Sequence, residues 1–137
     1  MSNRTLVLIK PDGVKRNLIG EIISRCEAKG YVVGKLSLVA ATRQLLEQHY
    51  AEHVGKPFYE PLVEFMMSGP VVAIELQGDR VIEGFRSLAG ATDPTLAAPG
   101  TIRGDLGRDW GTKVQQNLVH GSDSIESAER ELALWFA

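Results

Sequence analysis

The sequence predicts an α+β fold of the ferredoxin-like βαββαβ type, with a four-stranded antiparallel sheet, additional helices and a long loop before the last strand. Apolar runs typical of strands alternate with stretches of helical periodicity in the order β-α-β-α-α-β-α-β-α. No two successive strands lie close enough in the chain to form a tight hairpin. Four strands and two main crossover helices match this core, although the pattern alone leaves a small doubly wound sheet open.

The first half of the chain carries two predicted strands. Residues 5–9 form a nearly continuous apolar run, which indicates a central strand buried on both faces. Pro11 and Gly13 predict a turn after it, and Gly30 predicts the end of the next helix. The predicted elements are a strand at 5–9, a turn at 10–13, a helix from 18 to a stop at 29–30, a strand at 31–39 and helices at 42–53 and 59–67.

The second half contains a long irregular stretch. Residues 90–116 show no sustained period, and an irregular stretch of this length in a compact domain is often functional. The last helix is expected to start after an N-cap at Asp123, with Glu126 as its capping-box partner. The predicted elements are a strand at 71–76, a helix at 81–89, the irregular stretch at 90–116, a short strand at 117–120 and a helix at 125–136.

Composition and charge indicate an ordinary globular protein, with one domain expected over residues 1–137. Fifteen Lys and Arg against 17 Asp and Glu give no overall attraction to nucleic acid or to an anionic membrane. No apolar run is long enough to span a bilayer, and the first residues lack signal-peptide architecture, so a cytoplasmic location is expected. The one cysteine, Cys26, excludes an internal disulfide and an all-cysteine metal site.

His120 is the residue with the most chemistry to offer. It ends a short apolar run just before a Gly-Ser-Asp-Ser turn that can start a helix. Imidazole is partly neutral at physiological pH and can act as a nucleophile, a proton carrier or a metal ligand. The segment alone is equally compatible with a buried histidine that is satisfied by a neighbouring carbonyl.

Four other residues have the chemistry needed to bind phosphate, namely Lys10, Arg86, Thr92 and Arg103. Lys10 ends the first strand, where open sheets commonly meet ligands. Each of the four, taken alone, is more often an ordinary surface residue. Because neither G-x-x-x-x-G-K-[ST] nor G-x-G-x-x-G occurs, a nucleotide would have to be held mainly by side chains.

Three aromatic side chains have a structural and a functional interpretation. His49 and His53 are four residues apart on a predicted helix, a spacing that allows a shared metal. The residues between them do not complete an H-E-x-x-H motif and no third ligand stands out, which favours a structural role. Phe58 has a flat face for stacking on a base, although a Phe between Pro and Tyr is more often packed.

Four segments join these residues into one pattern. They are residues 5–14 (TLVLIKPDGV), 68–73 (SGPVVA), 99–105 (PGTIRGD) and 117–124 (NLVHGSDS). In this order they closely resemble the nucleoside diphosphate kinase family, over nearly the whole chain from about Arg4 to Phe136. The last segment, with its N-x-[VI]-H-G-S-D block, is highly specific.

The resemblance implies transfer of the γ-phosphate of a nucleoside triphosphate, mainly ATP, to a nucleoside diphosphate through a phosphohistidine, with broad base specificity. His120 matches the phosphorylated residue, and Ser122 and Glu131 match positions that support and orient the imidazole. Phe58, with Leu62 nearby, matches the platform under the base. The positions that hold the phosphates, the ribose or the surroundings of the histidine are matched by Lys10, Tyr50, Arg86, Thr92, Arg103 and Asn117.

The resemblance also implies Mg²⁺ carried on the nucleotide phosphates, with no direct protein ligand, and a homo-oligomer, either tetramer or hexamer. Two rival functions are a non-catalytic nucleotide-binding protein and a phosphohistidine relay to a partner protein. One segment departs from the family pattern: Leu106–Gln116 is roughly four residues longer than the common version, a length that loops tolerate. If Arg103 and Asn117 keep their places, the extra residues should bulge outward.

Overall fold

The computed structural model describes residues 3–112, 114 and 116–137, and at its centre lies an antiparallel sheet. The strands are β1 Arg4–Ile9, β2 Val32–Val39, β3 Val71–Gln77 and β4 Val119–Gly121. Their order in the sheet is β2-β3-β1-β4, and every neighbouring pair is antiparallel. Over the residues described, this confirms the predicted four-stranded antiparallel sheet.

Helices cover both faces of this sheet. The helices are α1 Pro11–Lys15, α2 Ile19–Ala28, α3 Arg43–His49, α4 Tyr59–Met66, α5 Val81–Ala89, α6 Ile102–Leu106 and α7 Ile125–Trp135. One face of the sheet packs on α2 and α5, and the other packs on α3, α4 and α7. Two apolar cores result, one on each side of the sheet.

Strand β1 is central and buried on both faces, as its apolar run predicts. Leu6, Val7, Leu8 and Ile9 are all fully buried. Because successive side chains of a strand point to opposite faces, Val7 and Ile9 join the core under α2 and α5, whereas Leu6 and Leu8 join the other core. The buried strand therefore fixes the position of Lys10, which follows its last residue.

Two local predictions in the first half need correction. The predicted turn at 10–13 is the start of α1, because Pro11 occupies the first helical position, where its missing N–H costs nothing. The predicted helix at 42–53 ends at His49 and is followed by a short 3-10 turn, Ala51–His53. Thr42 is the N-cap of α3, and its hydroxyl accepts a hydrogen bond from the Leu45 N–H.

Three further corrections fall in the second half. The irregular stretch contains α6, whose five residues are too few to show helical periodicity. The N-cap of α7 is Ser124, which accepts from the Ser127 N–H, so the predicted Asp123 cap with Glu126 is wrong. Strand β4 begins at Val119, two residues later than predicted, because Leu118 has a left-handed backbone.

In the part of the chain that the structure describes, no helix is long and apolar enough to cross a membrane.

Candidate active site

His120 lies on the short edge strand β4, directly opposite Leu8 of β1. Its side chain is 19% exposed, so the ring is largely enclosed but still reachable. The next residue, Gly121, lets helix α5 approach closely, because a Cβ there would lie 2.6 Å from Cδ2 of Phe85. The backbone that carries His120 is therefore packed from behind by a core residue.

One ring nitrogen of His120 is held by a carboxylate. His120 Nε2 lies 2.8 Å from Oε1 of Glu131 on α7, and the Ser122 hydroxyl donates to the same oxygen at 2.8 Å. Ser122 Oγ in turn accepts from the Leu6 N–H at 3.2 Å. Because an ionised carboxylate can only accept, the proton of a neutral His120 is on Nε2, and Nδ1 keeps its lone pair.

Glu131 is held in its ionised form despite its burial. Burial acts to raise the pKa of this carboxyl, but the hydrogen bond from His120, the electrostatic interactions with His120 and His49 and the bond from Ser122 together lower it. Glu131 is thus available as an acceptor throughout the neutral range.

The backbone before His120 adopts an unusual conformation. Leu118 has φ of +73°, in the left-handed region that branched residues rarely occupy. Asp12 Oδ2 accepts from its N–H at 3.1 Å, and the Lys10 N–H donates to its carbonyl at 2.8 Å. This clamp ties the His120 segment to the end of β1, so that Asn117 and His120 border one cavity.

Lys10 is directed to the site by its bond with Asn117. Its Nζ donates to Asn117 Oδ1 at 2.9 Å, and the amide nitrogen of Asn117 donates to the Thr92 carbonyl at 3.1 Å. Burial, with the charge of Arg103, lowers the pKa of Lys10 to about 8, which the carboxylate of Asp12 partly opposes. The ammonium group is therefore a poorly solvated cation that gains from a phosphate partner.

Arg103 ties three separate backbone segments together. Its Nε donates to the Asn117 carbonyl at 3.1 Å, Nη1 to the Gly90 carbonyl at 2.9 Å and Nη2 to the Val119 carbonyl at 2.7 Å. Burial, and then the charge of Arg86, lowers the pKa of its guanidinium to about 10, so it stays charged at neutral pH. A guanidinium has five N–H groups, so with these three bonds to described residues two remain for an anion.

These side chains surround a cavity of about 630 Å³, a size suited to a small ligand. Its lining is mainly polar and carries three of the predicted phosphate-binding cations. The predicted site residues that line it are Lys10, Tyr50, Arg86, Thr92, Arg103, Asn117, His120 and Glu131.

Three predicted site residues lie outside the lining. Ser122 is fully buried behind Glu131. Leu62 packs against the core under α3 and α4. Phe58 is 45% exposed and contacts His53, which lines the cavity, with ring centroids 5.1 Å apart.

His49 and His53 both contact Tyr50, but their other contacts differ. His53 stacks on Tyr50, with ring centroids 6.0 Å apart, whereas His49 Nδ1 accepts from Trp135 Nε1 at 3.1 Å. His49, His120 and Glu131 each present a possible metal-ligand atom within 4.8 Å of the others. His120 Nε2 and Glu131 Oε1 are already hydrogen-bonded to each other, and this bond accounts for their proximity.

Two residues that shape this site are not predicted from the sequence. The sequence predicts Asp12 only as part of a turn, and nothing in it shows that Asp12 clamps Leu118. The spacing of His49 suggests only His53 as its partner, but its ring lies 4.7 Å from that of His120. The position of His49 on the apolar face of α3 indicates that its side chain is buried. It does not indicate which residue the ring contacts.

The lengthened segment Leu106–Gln116 leaves the site residues in place, since Arg103 and Asn117 remain bonded. Lys113 and Gln115 lie outside the described residues. Residues 108–112 are exposed, and Trp110 lies beside the guanidinium of Arg108, 4.0 Å from the ring centroid. This part of the segment projects to solvent, as the sequence predicts.

Comparisons with known proteins agree over the whole length of the chain. A family model described as nucleoside diphosphate kinase matches residues 3–137. The nucleoside diphosphate kinases of Streptomyces avermitilis and Mycobacterium marinum are 63% and 61% identical over 137 residues, which cover 99% of this chain and 97% and 98% of those relatives.

Solved structures are similar as well. A halophilic nucleoside diphosphate kinase from Halobacterium salinarum, in complex with CDP, superposes with a TM-score of 0.92 at 46% identity, over 99% of this chain and 88% of that chain. The nucleoside diphosphate kinase of Encephalitozoon cuniculi superposes with a TM-score of 0.91 at 43% identity, over 98% of this chain and 88% of that chain.

Proposed function

The chain belongs to the nucleoside diphosphate kinase family and is a phosphotransferase of that family, and we propose that His120 carries the phosphate between the two halves of its reaction. Enzymes of this family transfer the γ-phosphate of a nucleoside triphosphate to a nucleoside diphosphate by a ping-pong mechanism through a phosphohistidine.

One observation carries the assignment of His120. Its Nε2 is occupied by Glu131 at 2.8 Å, and the ring borders a cavity that also exposes Lys10, Arg86 and Arg103. Among the described residues, Nδ1 of His120 has no hydrogen-bond partner. An unprotonated nitrogen with its lone pair towards a cationic cavity is what a phosphoryl acceptor requires.

In the first half-reaction, the Nδ1 lone pair attacks the γ-phosphorus. The bond from that phosphorus to the β–γ bridging oxygen breaks, and the nucleoside diphosphate leaves with the electron pair. No proton has to leave Nδ1, because Glu131 already holds the ring proton on Nε2. In the second half-reaction the β-phosphate oxygen of another diphosphate attacks the phosphohistidine, which reverses these bonds.

Charge neutralisation is the main contribution of the protein to such a transfer. We assign it to Lys10, Arg86 and the two free N–H groups of Arg103. Asn117 keeps the Lys10 ammonium in place through its 2.9 Å bond. Thr92 and Tyr50 line the cavity and supply hydroxyl donors to the phosphates or the ribose.

Enzymes of this family use a divalent cation, and we propose that it is Mg²⁺ that enters on the nucleotide phosphates as part of the substrate. The cationic side chains of the cavity cannot ligate a metal. They are suited to the phosphate oxygens that the metal leaves free. When bound, Mg²⁺ supplies further neutralisation of the phosphate charge.

The base is assigned to the outer end of the cavity, where Phe58 contacts His53 of the lining. The half-exposed face of Phe58 offers stacking without a fixed set of hydrogen-bonding groups, and Leu62, near it in the chain, packs on the core. Stacking does not distinguish among bases strongly, which supports broad base specificity. The proposed main phosphate donor is ATP.

We also propose that residues 1–137 act as one domain in a cytoplasmic homo-oligomer, either tetramer or hexamer. The support is strand β2, an edge strand whose Val32, Leu36 and Leu38 are 59%, 55% and 66% exposed. Apolar side chains along an open sheet edge favour association with another chain. Light scattering at several concentrations distinguishes the two assemblies from a monomer.

A labelling experiment tests the assignment of His120. With [γ-³²P]ATP, the wild type should acquire an acid-labile, alkali-stable phosphate, and His120→Ala should acquire none. Addition of unlabelled GDP should release the label as GTP. Equal labelling of the variant would refute the role of His120, and a label retained until a partner protein is added would indicate a relay instead.

A further inference from the structure

His49 is a buried polar side chain at the reactive end of the cavity for which the transfer mechanism gives no role. It is only 5% exposed, yet it lines the cavity beside His120. Its ring meets those of His120 and Tyr50 with centroids 4.7 and 4.6 Å apart, and that of Trp135 at 5.7 Å.

The hydrogen bond from Trp135 determines which nitrogen of His49 carries the proton. An indole N–H can only donate, so His49 Nδ1, 3.1 Å from Trp135 Nε1, must be an unprotonated acceptor. The single ring proton is therefore on Nε2, and the ring is uncharged. Trp135 thus fixes both the tautomer and the orientation of His49.

The surroundings of His49 oppose its protonation. Burial lowers its pKa to about 3, and the charges of His120, Arg130 and Lys10 act in the same direction, against the carboxylate of Glu131. His49 therefore stays neutral across the working range, and no like charge forms next to the reacting ring.

Glu131 does not by itself define the plane of the His120 ring. A single hydrogen bond at Nε2 leaves the ring free to rock about that contact, and the Nδ1 lone pair would move with it. The His49 ring, with its plane 70° from that of His120, blocks this motion from one side. In-line attack on phosphorus is sensitive to such a displacement, because misplacement by about 1 Å can cost roughly 100-fold in rate.

We propose that His49, held by Trp135, is a positioning residue that sets the plane of the His120 ring for in-line attack. The proposal rests on the assigned role of His120 as the phosphate carrier. It assigns the effect to contact with an uncharged ring, with no proton transferred by His49.

Two variants distinguish the contribution of the His49 ring from that of its hydrogen bond with Trp135. His49→Asn keeps an acceptor for Trp135 but removes the ring, and His49→Phe combined with Trp135→Phe keeps a ring and leaves no donor unpaired. Single-turnover phosphorylation at saturating ATP should be about 30-fold slower in His49→Asn, with KM changed less than about threefold. The double variant should recover most of the wild-type rate.

Other results overturn the proposal. It fails if His49→Asn reacts at the wild-type rate, or if the double variant is as slow as His49→Asn while remaining folded. If the wild type itself takes no label, the role of His120 fails instead, which separates the two claims.

A measurement on the wild type does not depend on folding of the variants. ¹⁵N NMR of the His49 ring should report one Nε2–H tautomer from pH 5 to 9, before and after phosphorylation. Protonation of His49 in that range would contradict its role as a fixed neutral contact.

Discussion

The two ends of the cavity are built differently. At the reactive end, His120, Glu131 and Ser122 are mostly or wholly buried and linked by hydrogen bonds of 2.8 Å. At the outer end, Phe58 is 45% exposed and contacts His53 of the cavity lining. Phosphoryl transfer depends on positions fixed within a fraction of an ångström, whereas use of several bases depends on few directional contacts. On the proposed assignment, the buried and hydrogen-bonded end holds the reacting ring, and the exposed end meets the base, the part in which the substrates differ.

Loss of the carboxylate at the reactive end should have the largest effect. Glu131→Ala removes the group that fixes the His120 tautomer and leaves Ser122 Oγ without its acceptor. We expect phosphorylation by ATP to slow by about 10- to 100-fold, the range for losing an orienting partner. Stopped-flow or quench-flow measurement of the phosphoenzyme gives this rate.

Glu129→Ala is a matched control for that variant. Glu129 lies on the same helix, is exposed, and pairs with Arg4 away from the cavity. Its rate should equal that of the wild type. A comparable loss in both variants would mean that α7, and not the Glu131 carboxylate, is what matters.

The pH dependence should reveal the buried cation at the reactive end. Lys10, with a pKa of about 8, is protonated below that pH and loses its charge as the pH rises through it. Because the charged form binds phosphate, kcat/KM should fall by about tenfold per pH unit above pH 8. Initial rates with subsaturating ATP between pH 6 and 10 measure this.

Lys10→Gln provides the comparison for the pH profile. The variant has no titrating group at this position. Its kcat/KM should therefore be lower at pH 7 and should not show the fall that begins near pH 8 in the wild type. If kcat/KM of the variant falls above pH 8 as it does in the wild type, the titrating group is not Lys10.

The smallest effect is expected at the outer end. Phe58→Ala removes a stacking face that is already half exposed, so it should cost about 1 kcal/mol, or roughly fivefold in KM. The rate at saturating nucleotide should stay near that of the wild type, since Phe58 does not contact His120. Phe58→Tyr keeps the aromatic face and should leave KM unchanged. A large loss of kcat in Phe58→Ala would contradict the proposed difference between the two ends of the cavity.

Residues near each other in sequence were the easiest to predict. The strand before Lys10 appears as an apolar run that ends in a polar residue, so this element follows from local pattern. The local pattern of residues 117–120 leaves the role of His120 open, and its assignment as the phosphate carrier depends on the resemblance of four segments to the family. Helix α6 was missed because five residues cannot establish a period.

Contacts between distant segments were not predictable. The clamp of Asp12 on Leu118 and the contact of His49 with His120 each join residues far apart in the chain. Such contacts depend on how α1, α3 and β4 pack together, and no spacing in the sequence encodes this. For the same reason the exposure of Phe58 could not be judged before the position of α4 was known.

The position of the phosphate on the His120 ring tests the central claim most directly. Because Glu131 holds Nε2, the phosphate should form on Nδ1. ³¹P and ¹⁵N NMR of the ¹⁵N-histidine-labelled phosphoenzyme, prepared under alkaline conditions, distinguishes the two nitrogens. We predict a single phosphorus coupled to Nδ1 of His120. Phosphate on Nε2, or on a residue other than His120, would contradict the assignment of the reactive end.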